Sequence, residues 1–190
     1  MSSGGRRRPQ VMETTSTKNL AGLYDLPPLD WGAVAAGLDG LTQAPGTGGP
    51  DRHSHWLTTI NEDGSPHVTG IGAIWFDDAY WVVSGRSVRK ARNLERDPRC
   101  TIAVATTDHD TVVDGRAELV TDPAVVAKVS ATLNEGGWPC EPDPSGTALT
   151  APYSAPSAGP APWHVYRVTP TKANAVLVRD PGGATSWTFG

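Results

Sequence analysis

The segment richest in chemistry is Ser84-Gly85-Arg86-Ser87-Val88-Arg89-Lys90-Ala91-Arg92-Asn93, where an apolar strand gives way to a helix with Ser87 in the capping position. Cations crowd the first turns of that helix. Each one opposes the helix macrodipole at a cost of about 0.3–1 kcal/mol, so folding alone does not favour the arrangement. A bound anion removes the conflict. First-turn backbone N–H groups, the Ser87 hydroxyl, Arg89 and Lys90 make a donor set for a phosphate dianion, with arginine as a bidentate fork and lysine as a point charge. The competing reading is a solvated basic face on an otherwise acidic chain.

A second feature is the run Pro66-His67-Val68-Thr69-Gly70-Ile71-Gly72-Ala73, in which Gly70 and Gly72 share one face of an expected strand. Glycine weakens a strand unless something must approach its backbone closely. A flat ring lying along His67–Gly72, read by backbone N–H and C=O groups, supplies a reason; a bulge or barrel corner is the plainer one. Taken with the phosphate-like turn, a ring-plus-phosphate ligand accounts for both features. Other candidates lack partners. His53 and His55 alternate as metal ligands can on a strand, but no third ligand lies nearby in sequence. His109 and His164 have no nucleophile motif around them, and neither Gly-x-Ser-x-Gly nor His-Glu-x-x-His occurs.

The elements that must position these residues are short. Met1 to Lys18 is polar, carries the Arg6–Arg8 run and reads as a disordered tail without the apolar core of a signal peptide. Asp30 caps a short helix from Trp31 to Gly40, with Trp31, Val34 and Leu38 on one face, and residues 42–52 make a loop. Strands are expected at Trp56–Ile60, His67–Trp75 and Tyr80–Ser84 as a meander, then a helix from Ser87 to Arg96. A hairpin follows from Cys100–Thr106 and Thr111–Val120. Asp122-Pro123 opens a helix to about Asn134. Residues 136–162 are rich in proline and glycine and read as one long loop, whose Trp138, Pro139, Tyr153 and Trp163 mark it as a lid over the substrate side of a ligand. Strands near Trp163–Val168, Ala173–Val178 and Thr185–Phe189 close the chain. Trp75, Trp81, Trp163 and Trp187 are read as core or interface residues.

Most connections between these strands are too short for crossover helices, so the fold class is mainly β, a small Greek-key barrel with short helices at its connections. With 21 glycines and 17 prolines in 190 residues, a helical bundle is excluded. Sixteen Lys plus Arg against twenty Asp plus Glu give a net charge of −4, so nothing global points to nucleic acid or an anionic membrane. Cys100 and Cys140 are far apart, which gives a disulfide or cysteine zinc site no support and makes a reducing cytoplasm the default.

The sequence Asp63-Gly64-Ser65-Pro66-His67, then Ser87-Val88-Arg89-Lys90-Ala91-Arg92-Asn93-Leu94, Asp97-Pro98-Arg99, Val113-Asp114-Gly115-Arg116-Ala117-Glu118-Leu119 and Trp163-His164-Val165-Tyr166-Arg167-Val168 resembles the pyridoxamine 5'-phosphate oxidase superfamily. The likeness runs from about Trp56 to the end, and residues 24–52 with the closing Gly-Ala-Thr-Ser-Trp-Thr-Phe are similar to one actinobacterial branch. It implies a split β-barrel over 53–190 with residues 19–52 packed on it. It also implies a homodimer with FMN or the deazaflavin F420 at the interface, hydride transfer to or from a small organic substrate, and no nucleic-acid or membrane partner.

By the same resemblance, His67, Val68, Thr69, Gly70, Ile71 and Gly72 lie along the ring, and Val83 and Ser84 touch the cofactor. Arg89 and Lys90 match the phosphate-binding pair, and Asp110 falls where the oxidase has a glutamine that contacts the ring in the dimer. Arg86 and Arg92 could meet the longer anionic tail of F420. Thr69 and Ile74 stand where the oxidase has arginine and lysine, and its C-terminal Arg-x-His is missing, which argues against pyridoxamine phosphate as substrate. The rival class is a non-catalytic barrel that holds flavin, haem or another small ligand.

Overall fold

The computed structural model describes residues 12–39 and 55–190. Eleven strands and three α-helices follow one another there as β1 (Thr14–Asn19), α1 (Trp31–Leu38), β2 (His55–Ile60), β3 (Pro66–Ile71), β4 (Ala73–Phe76), β5 (Ala79–Ser84), α2 (Arg89–Arg96), β6 (Arg99–Ala105), β7 (His109–Val120), α3 (Pro123–Glu135), β8 (Glu141–Pro142), β9 (Leu149–Thr150), β10 (His164–Leu177) and β11 (Ala184–Phe189).

β10 is the spine. One of its edges pairs with β7 almost throughout, while the other pairs with β5 over its first half and with β11 over its second. The sheet therefore splits at β10. A bulge between Pro170 and Lys172 bends the strand at the division. There a Cβ on Gly115 would fall 2.6 Å from the Thr169 carbonyl oxygen, so only glycine lets the two backbones close. From β10 the order runs through β7, β6 and β2 to β3 in one direction and through β5 to β4 in the other. The short β3–β4 connection at Gly72 joins these two arms.

Two cores follow. Inside the barrel, inward residues such as Leu57, Ile102, Val113 and Val168 are wholly buried, each stabilising the fold by about 1.5–3 kcal/mol. Helix α1 packs against this interior. Asp30 accepts a hydrogen bond from the Ala33 N–H at 2.9 Å, and Trp31 meets Trp75, Trp187 and Phe189 at ring distances of 6.1, 5.3 and 5.0 Å. The second core lies on the other face of β5 and β10, where Trp81 and Val165 meet Val126 and Val129 of α3 and Leu149. Because β5 is covered on both faces, its sequence Ala-Tyr-Trp-Val-Val-Ser does not alternate.

The expected helices at Trp31 and Pro123 are present, Asp122 capping the second through the Ala124 and Val125 N–H groups. Five expectations are corrected. Residues 14–18, expected in the tail, belong to β1, which adds to β11 as a sheet-edge strand; residues 1–11 lie outside those described, as do 40–54, with His53 and the 42–52 loop. The strand expected over His67–Trp75 breaks at Gly72, so the three strands do not form a simple meander. Ser87 does not cap α2: Val88 holds that position, without a side-chain hydrogen bond. Residues 136–162 contain the β8–β9 hairpin and a turn at Pro156–Ala158, and the two strands expected after them are the single strand β10.

His55 is 1% exposed in the interior, and burial lowers its pKa to about 4. The unfolded chain takes up this proton near pH 6.5 and the folded chain only near pH 4, so stability is full above 6.5 and falls through that window by about 3 kcal/mol. Urea unfolding at pH 7.5 and pH 4.5 is expected to show this loss. In His55→Leu that part of the pH slope disappears; an unchanged slope contradicts the assignment.

Candidate functional site

β3, the end of β5 and the start of α2 converge on one side of the barrel. The barrel pairing brings β5 alongside β10, and the chain leaves β5 at Ser84, turns through 85–88 and enters α2 directly. Ser84 is buried and Val83 half-buried, while Arg86, Ser87, Arg89 and Arg92 are exposed. The N-cap residue of α2, Val88, makes no side-chain cap, so no capping side chain satisfies the first-turn N–H groups beside Arg89. At His67, burial holds the imidazole below its ordinary pKa, and the charges of Arg89 and Lys90 push it in the same direction. The structure thus joins the ring-strand candidate to the phosphate candidate.

On β3 the side chains of His67, Thr69 and Ile71 turn inward, with Thr69 opposite Leu57 and Ile71 opposite His55. Val68 and Gly70 turn outward, Gly70 opposite Trp56. A Cβ on Gly72 would meet nothing within 4 Å. The break after β3 at Gly72 thus offers backbone with open space beside it, which fits a planar ring, while Arg89 and the uncapped helix fit a phosphate.

Two expected site residues, Arg86 and Lys90, are engaged within the chain, while Asp110, expected to reach the ring across a dimer, stands apart from β3 of its own chain. Arg86 pairs with Glu95, Nε to Oε1 at 2.8 Å. Asp110 lies on β7, and the register from β3 through β2 and β6 puts it three strands away from the ring strand, about 14 Å at 4.8 Å per strand. Lys90 is 3% exposed, and its ammonium donates to the Ser157 carbonyl. Burial lowers the Lys90 pKa.

Sequence reasoning passed over the strap that makes this contact. Residues 156–160 lie on the 85–90 turn: the Gly85 N–H donates to the Ala158 carbonyl at 2.8 Å, and the Pro156–Ala158 turn lies against β3. The region was marked by its proline, glycine and aromatic content as a lid over the substrate side, not as a contact of the 85–90 turn. Of the residues expected in a lid, Trp138 packs against the second core with the Trp163 ring 5.7 Å away, and Trp138 Nε1 donates to the Tyr153 carbonyl. Trp56 was also missed; it is 53% exposed on the outer sheet face with Val68 and Val112. Among the described residues no group of three His, Cys, Asp or Glu could hold a metal ion, and no helix is long and apolar enough to cross a membrane.

The barrel is of the pyridoxamine 5'-phosphate oxidase-like split-barrel class. The chain belongs to the pyridoxamine 5'-phosphate oxidase family, whose model matches residues 50–176, about two thirds of its length. Among solved structures it is similar to a conserved hypothetical protein from Mycobacterium tuberculosis, with 21% identity and a TM-score of 0.50 over 84% of this chain and 85% of that one. It is also similar to a pyridoxamine 5'-phosphate oxidase-related, FMN binding protein from Nostoc punctiforme, with 16% identity, a TM-score of 0.48 and coverage of 70% and 78%. An F420 reductase shares 23% identity, with a TM-score of 0.45 and coverage of 65% and 90%. No curated protein matches the sequence.

The proximity of Arg89 to β3 is directly measurable. In an NMR titration the His67 midpoint lies below that of a free histidine, and Arg89→Ala raises it. A midpoint that does not move places Arg89 away from β3.

Proposed function

We propose that this chain is an oxidoreductase that binds F420 or FMN and uses it with a small organic substrate. The observation that carries the reading is the exposed Arg89 on an uncapped helix start beside the glycine-bearing strand β3. When bound, such a cofactor supplies hydride transfer at its ring. The protein's part is binding and orientation. Arg89 and the first-turn N–H groups of α2 anchor the phosphate, Ser87 adds a hydroxyl, and Arg92 is an exposed cation placed to meet a longer anionic tail. The backbone of β3 from His67 to Gly72, with Val83 and Ser84 at the end of β5, would hold the ring. No side-chain acid or base is required at the reacting atoms.

The same reading takes a homodimer with cofactor at the interface. Trp56, Val68 and Val112, at 53%, 55% and 37% exposure, share one outer sheet face, with Ala103 between Trp56 and Val112 in the register. Such a face supports a second copy as its cover. Asp110 turns to this face too, so a second copy is what could carry an Asp110 toward the ring, which Asp110 of the same chain does not approach.

Arg89→Ala is expected to weaken F420 or FMN binding at least tenfold, read by fluorescence titration, without change in the far-ultraviolet dichroism. Unchanged affinity rejects the anchoring role. Sedimentation of the unmodified protein gives a dimer, and Trp56→Glu with Val112→Lys gives a folded monomer that no longer retains cofactor. A cofactor-saturated monomer of the unmodified protein rejects the shared site.

A further inference from the structure

Lys90 and the strap cannot both stay as they are when an anion arrives. With its side chain under residues 156–160, Lys90 is out of reach of a phosphate at the exposed helix start. The docking is close along its whole length. A Cβ on Gly85 would fall 2.8 Å from the Ala158 carbonyl oxygen and 3.1 Å from that of Pro160. Gly159 sits at φ 72° and ψ −169°, a conformation open essentially to glycine alone, and a Cβ there would fall 2.6 Å from Val88 Cγ1. From the other side, the Trp163 indole N–H donates to the Gly159 carbonyl at 2.8 Å. Glycines at 85 and 159 are therefore what let the strap lie on the turn at all.

The strap holds Lys90 through a neutral carbonyl. A phosphate dianion offers the same ammonium a hydrogen bond roughly twice as strong, charge on charge. It also restores the counter-charge that burial has taken from a strongly hydrated group. The balance between strap and anion is thus set to change sign when a phosphate occupies the helix start.

We propose that residues 156–160 are a latch opened by the cofactor: strap docking and phosphate ligation compete for the Lys90 ammonium, so loading the cofactor releases the strap. Release uncovers the flank of β3 against which Pro156–Ala158 lies, which gives access beside the ring strand to a loaded protein and withholds it from an empty one. The proposal rests on the cofactor reading above.

The test is hydrogen exchange of the whole chain, read at the amides of 157–159 and at the Trp163 indole N–H, with and without saturating FMN and, separately, F420. Binding is expected to speed exchange at these sites at least tenfold while the strands of the barrel are unchanged. Gly159→Ala, whose methyl group fits neither the backbone conformation nor the contact with Val88, is expected to exchange fast there without ligand and to bind the cofactor at least threefold more tightly. Equal or slower strap exchange in the loaded wild type overturns the latch and leaves the cofactor reading standing, and that comparison decides even where the variant folds poorly. Failure of both FMN and F420 to bind wild type overturns the cofactor reading and the latch with it.

Discussion

The hydrogen bonding of β10 is the constraint from which the rest follows. A strand has two edges, and this one divides an edge between β5 and β11 while keeping the other for β7. That division fixes where β5 ends and hence where the 85–88 turn stands. It also places α3 and residues 138–151 on the outer face of β5, since the strand's second face would otherwise be exposed. The bulge at Pro170–Lys172, with Gly115 opposite, lets one strand serve two sheet directions. A side chain at 115 would force the ladders apart, and the turn that carries Arg89 would lose its position relative to β3.

The second constraint is electrostatic. Helix α2 begins with Arg89 and Lys90 and has no capping side chain, the reverse of what stabilises an isolated helix. The fold handles the two cations differently. Lys90 turns inward to a backbone carbonyl from a residue 67 positions away, while Arg89 is left in solvent beside His67. One cation is thus held in reserve and the other presented. Exposed pairs such as Arg86–Glu95 add little to stability, commonly under about 1 kcal/mol, and serve mainly to tie Arg86 away from that anchoring set.

How much of this the sequence disclosed depends on whether the signal was local. α1 and α3 were readable because Asp30 and Asp122 act on N–H groups two or three residues on. The basic helix start was readable because the conflict with the macrodipole is contained within one turn. β1 was not, because an edge strand of Thr-Thr-Ser-Thr-Lys-Asn has no apolar alternation and exists only through pairing with β11 at the far end of the chain. The burial of Lys90 and the strap over it come from tertiary contacts that no spacing rule encodes. Ser87 was misassigned as the cap because Val88, one residue later, holds that position.

The most direct test of the account is an equilibrium titration of the purified chain with F420 and with FMN, followed by gel filtration and a count of cofactor per chain. The account predicts that at least one of them is retained at one per chain and that dephosphorylated FMN, riboflavin, is lost. Retention of neither, or equal retention of riboflavin and FMN, contradicts a site built on β3 and anchored by phosphate at Arg89.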